Sequence, residues 1–319
     1  MADTNSQPRD EAVAAFKVFP QFSKLTFSDR NRYQALVANY PPIANISFPN
    51  LMTWWNTLNG VSVSLLEDNL VISYWAPGME ELSGLSLVGV NNVDQVLCTI
   101  FDHLAQRGEQ ARIVHVPEFV IEHMHHPELF SFHEERRMDE YIYVLSKFFP
   151  SHRIVDFRQR HIKKFLAAID EEQISVRSLE LGEKQNRRLL LDSVGNWKRP
   201  GVINNFARHN DEALRIAITR AEELGLDNIC LFINGQLHGY VLYHVPTDKR
   251  YVVMIYARIN NELPHTFDYT AYRFAKWFLE QGFSYINLES DLGLPLLRTI
   301  KLALGPTNFF RLYTVKPAV

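Results

Sequence analysis

Asn228-Ile-Cys-Leu-Phe-Ile-Asn-Gly-Gln-Leu-His-Gly-Tyr-Val-Leu-Tyr-His244 sets two apolar runs around an Asn-Gly pair, a strong short-range signal for a β-hairpin. Tyr251 to Ala257 adds a third strand and extends the meander. A helix then places Phe267, Ala271, Phe274, Ala275, Phe278 and Leu279 on one face and ends at Gly282. Phe283 to Leu288 reads as a strand. Leu294 to Leu304 reads as a helix with Pro295 in its first turn and Gly305-Pro306 beyond it, and Asn308 to Val315 as the last strand.

Working toward the N-terminus, a strand is expected over Ile174 to Leu179, a helix near Glu183 to Gly195, and another from Asn210 or Asp211 to Leu224. Before these, Ser151 to Phe165 is an amphipathic basic helix. Ile154, Phe157, His161 and Phe165 recur at helical spacing, with Arg153, Arg158, Arg160, Lys163 and Lys164 between them. The first half shows a shorter version of the same order. A helix near Asp29 to Ala38 is followed by a hairpin (Val61 to Leu65, Leu70 to Trp75) and a strand (Leu85 to Val90). A helix carrying Val93, Val96, Leu97, Ile100, Phe101 and Leu104 and ending at Gly108 comes next, then the strand Ala111 to Val116. Two units are expected, residues 1–146 and 147–319.

The 319 residues are 46% hydrophobic and 22% charged, as in a globular protein. Two cysteines, Cys98 and Cys230, exclude a disulfide scaffold and a four-cysteine zinc site, and fit a reducing compartment. No apolar run approaches the roughly 18 residues of a spanning helix, and the polar first ten residues carry no secretory pattern. A cytoplasmic protein is expected, not integral to a membrane though able to touch one. Charge is uneven: residues 1–146 hold 9 basic and 18 acidic side chains, residues 147–220 hold 15 and 9, and residues 221–319 hold 9 of each. The basic middle is either a solvated helix face or a footprint for a phosphate-bearing ligand.

Meander, helix, strand, helix, strand is the order of GNAT (acyl-CoA N-acyltransferase-like) folds. The expected class is therefore α+β (mixed α/β), as two tandem GNAT-like units. Ile286-Asn-Leu-Glu289, Asp291-Leu-Gly293, Leu297-Arg298, Lys301 and Pro306 resemble the C-terminal domain of phosphatidylglycerol lysyltransferases and the stand-alone members of that family. Weaker echoes are Phe48 to Leu51 with Trp54-Trp55, and the basic helix from His152 to Phe165. The resemblance implies an acyltransferase that takes an aminoacyl group from aminoacyl-tRNA. Characterised members deliver it to a lipid hydroxyl, related tandem-GNAT proteins to peptides. Two departures matter. The membrane-embedded part of the lipid-modifying members is not among these 319 residues, so the acceptor stays open. The stretch from Arg258 to Phe267 has no glycine where acetyl-CoA versions of the fold cradle a pyrophosphate, which disfavours acetyl-CoA as donor.

Glu289 and Asp291 follow a strand and precede a helix start, a rim where such folds gather ligands. They are the expected catalytic pair, orienting or deprotonating the attacking nucleophile. The competing reading makes Asp291 a cap and Glu289 half of an ion pair. Arg298 and Lys301, three apart on one helix face, are expected to bind an anionic substrate group, with Asn287 beside them, or to pair with Glu289 or Asp291 across the turn. Arg153, Arg158, Arg160, Lys163 and Lys164, with Arg187-Arg188 and Lys198-Arg199, suit tRNA phosphates, which would make binding salt-dependent, and equally an acidic surface on a partner protein. His123, His125 and His126, with Glu122, Glu128 and His133, lack metal-ligand spacing and read as a solvated loop. Trp54, Trp55, Cys98 and Cys230 read as core. No cofactor and no metal are expected. An acyl-CoA-dependent N-acyltransferase and a non-catalytic binding module on the same fold are the alternatives.

Overall fold

Asn234 and Gly235 both take positive φ, 51° and 75°, as the tight turn of a two-residue hairpin requires. The computed structural model describes residues 16–58, 60–76, 80–148, 155–197 and 204–318. Along the chain the strands are β1 (Ser23–Lys24), β2 (Val61–Leu66), β3 (Asn69–Tyr74), β4 (Gly84–Val88), β5 (Ile113–Pro117), β6 (Phe130–Glu134) and β7 (Glu140–Val144). They continue as β8 (Ile174–Arg177), β9 (Asp227–Ile233), β10 (Gln236–His244), β11 (Tyr251–Ile259), β12 (Tyr285–Asn287), β13 (Asn308–Phe310) and β14 (Leu312–Pro317).

One unit comprises the described residues up to Pro41, Asn50–Asp139 and Phe310 onward; the other comprises Pro42–Pro49 and Glu140–Phe309. Each holds a seven-stranded mixed sheet. The first has the order β1-β2-β3-β4-β5-β14-β6, the second β13-β7-β12-β11-β10-β9-β8. The fold is mixed α+β in two units, as the element order implies.

The division differs from the expected cut after residue 146. β7 precedes that cut but pairs antiparallel with β12, Tyr143 opposite Ile286, so it belongs to the second sheet. β14 follows the cut yet lies between β5 and β6 in the first sheet. Strand pairing is set by partners 140 or more residues away, and local patterning carries no trace of it. For the same reason the single strand expected over Asn308 to Val315 is two strands, one in each sheet.

In the first unit the helix Val93–Gln106 buries Val93, Val96, Leu97, Ile100, Phe101 and Leu104, the residues its spacing picks out. They pack with Val71, Leu87, Ile113 and Val315 from the sheet. In the second unit the helix Thr266–Glu280 lays Tyr269, Phe274, Ala275 and Phe278 against Val241, Val252, Ile286 and Leu288. Each fully buried Val, Leu, Ile or Phe among them contributes roughly 1.5–3 kcal/mol by leaving water. The helix expected from Asn210 begins earlier, at Asn204, and a separate turn of helix follows at Ala221–Leu224.

β11 and β12 run parallel and pair over three positions, Tyr251 with Tyr285 to Val253 with Asn287. β12 then stops while β11 continues to Ile259. The strand expected from Phe283 to Leu288 is thus shortened to three residues, and the chain beyond Asn287 is released into a turn.

Candidate active site

That turn, Leu288 to Leu294, is built from polar groups. Glu289 has φ 60° and Leu292 φ 53°, both in the left-handed region that side chains other than glycine rarely occupy, and Gly293 follows at 78°. Such a path persists only when its surroundings over-determine it. Asn287 Oδ1 accepts from the Glu289 N–H at 2.8 Å. The Tyr141 N–H donates to the Glu289 carbonyl, and the Leu288 N–H to the Tyr141 carbonyl. Lys301 points its ammonium into the carbonyls of Leu288 (2.6 Å), Glu289 (3.0 Å) and Ser290 (2.6 Å).

Asp291 is fully buried. Arg298 donates to it through Nε and Nη2 at 2.7 and 3.0 Å, the Tyr141 hydroxyl at 2.6 Å, and the Gly293 N–H at 2.7 Å. Burial alone would raise its pKa. The Arg298 guanidinium, the Tyr141 hydroxyl and the Gly293 N–H outweigh that and hold the carboxyl below the usual range. Arg298 remains 39% exposed, so its planar group is presented at the surface while anchored from behind.

Two further charges lie beneath. Burial pulls the Lys301 ammonium down to about 8, against the opposing pull of Glu289, Asp291 and Glu140. Glu140, 1% exposed, accepts from the N–H groups of Ala44 and Asn45, each at 2.7 Å, and from Asn287 Nδ2. Burial pushes its pKa up to about 7 despite these donors.

The five residues singled out in sequence therefore fall together, but on two levels. Asn287, Asp291 and Lys301 are buried, whereas Glu289 and Arg298 are partly exposed. Tyr141 and Glu140 complete the cluster and were missed, because they lie about 150 residues away along the chain. The available signal was an acidic residue heading the apolar run Tyr141-Ile-Tyr-Val-Leu145. Beside Leu288, a cavity of about 100 Å³ is lined by apolar side chains including Met254, Ala257, Phe274 and Phe278. Its lining suits an aliphatic segment and no ion, so charged chemistry is left to the turn.

Of the basic set, Arg160, Lys163 and Lys164 are exposed on the helix Val155–Ala168. Arg153, Ile154 and Lys198-Arg199 lie outside the described residues, as do the side chains of Arg158 and of Phe157, expected with Ile154 to face inward. His161 and Phe165 do face inward, and Phe165 stacks on Tyr269 with centroids 4.4 Å apart. Arg187 is engaged by the carbonyls of Leu181 and Gly182. Trp55 and Cys230 are buried, and burial pushes the Cys230 thiol up to about 12. His126 pairs with Glu128 on an exposed loop, and His123 Nδ1 lies 2.7 Å from the Phe119 carbonyl.

No helix among the described residues is long and apolar enough to cross a membrane. The family model for phosphatidylglycerol lysyltransferase, C-terminal, matches residues 46–316. No curated protein matches the chain in sequence. Among solved structures, a conserved protein of unknown function from Bacteroides thetaiotaomicron is 22% identical with TM-score 0.76, covering 93% of this chain and 99% of that one. The L-PGS of Bacillus licheniformis is 14% identical with TM-score 0.60, over 91% and 92%. FemX is 8% identical with TM-score 0.50, over 92% and 96%. At these identities the likeness is one of fold.

Proposed function

The chain belongs to the phosphatidylglycerol lysyltransferase C-terminal family, and from that premise we propose that it transfers an aminoacyl group from aminoacyl-tRNA to the hydroxyl or amine of an acceptor. The observation that carries this reading is the turn after β12, where Glu289 sits partly exposed on a left-handed backbone held by Asn287 and Lys301. In the reaction, Glu289 accepts the proton of the acceptor group as its oxygen or nitrogen attacks the ester carbonyl. A new ester or amide bond forms. The tRNA ribose oxygen leaves with the bonding pair and takes up a proton.

Arg298 faces the anionic part of donor or acceptor, with Asp291 fixing the plane of its guanidinium. Asp291 is thus a positioning residue and not a second base, since all its strong acceptor directions are filled. Asn287 and Lys301, both buried, act on the turn and leave substrate contact to Glu289 and Arg298. Arg160, Lys163 and Lys164 supply a phosphate-facing surface for the tRNA.

A donor other than acyl-CoA is supported by the turn ahead of Thr266. From Arg258 to Phe267 there is no glycine, the residue that lets a backbone cradle close around a pyrophosphate at a helix start.

Single-turnover transfer from tRNA charged with labelled amino acids tests the reading. Glu289→Gln should slow transfer by about 10²–10⁴-fold with tRNA affinity unchanged. Thermal stabilisation by acyl-CoAs and by no tRNA, charged or uncharged, would replace the donor.

A further inference from the structure

The helix Val155–Ala168 and the first turn of the helix Thr266–Glu280 bring three metal-binding side chains to one place. Among the described residues, one ring nitrogen each of His161 and His265 and one carboxylate oxygen of Asp268 all lie within 4.8 Å of one another. His161 Nδ1 is 2.7 Å from Asp268 Oδ2, and the two imidazoles lie with centroids 4.1 Å apart and planes tilted by 36°. All three residues are half-buried.

The backbone at His265 points the same way. It precedes the helix in the left-handed conformation, at φ 65°, and its side chain does not cap the helix. An Asn or Gly would hold that conformation with less strain, so the imidazole is placed there against a local preference. It is turned toward His161, which stands 104 positions earlier in the sequence.

We propose that His161, His265 and Asp268 bind a divalent zinc-class cation. Two imidazole nitrogens and one carboxylate oxygen form a borderline donor set that suits Zn²⁺ and not the all-oxygen preference of Mg²⁺ or Ca²⁺. Ligands on a tetrahedral zinc lie about 3.4 Å apart, so small side-chain rotations bring these three onto one ion, with water in the fourth position. The Asp268 carboxylate offsets the unfavourable placement of a cation near a helix N-terminus. Bound metal ties the helix Val155–Ala168 to the segment entering the helix Thr266–Glu280. It is independent of the transfer chemistry proposed above.

The test is calorimetric titration of the metal-stripped full chain with zinc, together with melting curves and the visible spectrum of the cobalt-substituted protein. The expected result is one equivalent of zinc bound, a melting temperature that rises with zinc and not with magnesium, and the absorption bands of tetrahedral cobalt. His265→Asn, which tolerates the left-handed backbone, and Asp268→Asn should keep the parent far-UV spectrum and lose more than about tenfold in affinity. A His125→Gln/His126→Gln variant removes two of the exposed loop histidines and should bind as the parent does. No stoichiometric binding at micromolar zinc, unchanged affinity in both site variants, or loss confined to the loop variant would overturn the proposal.

Discussion

Arg298 clasps Asp291 through both carboxylate oxygens, Nε to Oδ2 at 2.7 Å and Nη2 to Oδ1 at 3.0 Å, with the carboxylate fully buried and the guanidinium partly exposed. An ion pair of this shape orients a cation; it does not leave a free base. Asp291→Ala should cost about 3 kcal/mol, near the low end for breaking a buried pair because Arg298 can still reach water. Asp291→Asn, which keeps acceptors for Tyr141 or Gly293, should cost about half of that. Both should lower transfer mainly through KM, which chemical denaturation and steady-state kinetics together would read. A pure loss of kcat at unchanged KM in Asp291→Asn would restore Asp291 as the base.

Lys301 presents the next case. Its ammonium satisfies three carbonyls of the turn, and Lys301→Met should destabilise the protein by about 2–4 kcal/mol by leaving buried acceptors unmet. The native pKa of about 8 lies below the ordinary 10.5, so between these values the unfolded chain binds more protons than the folded one. Stability attributable to this group therefore rises with pH across that window. Denaturation midpoints from pH 8 to 10.5 should show that rise in the parent and lack it in Lys301→Met.

Glu140 has the opposite sign. Its native pKa of about 7 exceeds the ordinary 4.5, so the folded state binds more protons between pH 4.5 and 7. Its contribution is fully present below pH 4.5 and is lost as pH rises to about 7, on the order of a few kcal/mol. Glu140→Gln cannot accept from both Ala44 and Asn45 and should be less stable at pH 5. The decline between pH 5 and 7 attributable to Glu140 should vanish in that variant, which urea titrations at several pH values would show.

Much of this was legible in sequence. The hairpin Asp227 to His244, the helix from Val93 and the helix from Thr266 carry their periodicity in contiguous residues, and the structure forms them close to the expected bounds. Asn287, Glu289, Asp291, Arg298 and Lys301 span only 15 positions, so a strand, a turn and one helix suffice to gather them. What stayed hidden required long-range pairing. β7 brings Glu140 and Tyr141 beside that turn, and β14 returns to the first sheet. Burial also separates residues that look alike in sequence: Asp291 and Glu289 differ by two positions, yet one is enclosed and the other reaches the surface.

If the exposed face of the helix Val155–Ala168 meets tRNA, charge reversal there should act on affinity and not on chemistry. Lys163→Glu/Lys164→Glu should weaken tRNA binding and reduce the magnitude of the slope of log K against log salt by about 1–2. The single-turnover rate at saturating tRNA should be unchanged. Both lysines are exposed, so the melting temperature should hardly move.

Glu289 carries the last prediction, because its backbone and its side chain make opposite demands. At φ 60° a glycine would be more comfortable, yet a carboxylate stands there, as expected of strain retained for function. Glu289→Ala keeps the backbone penalty and loses the attraction between the carboxylate and Lys301. Glu289→Gly loses the same attraction but relieves the penalty, so it should be about 1 kcal/mol more stable than the alanine variant. Both should lose transfer by the same factor, since neither can accept the proton. Equal stability of the two variants would show that the left-handed turn is not enforced in solution. Full activity in either would remove Glu289 from the reaction.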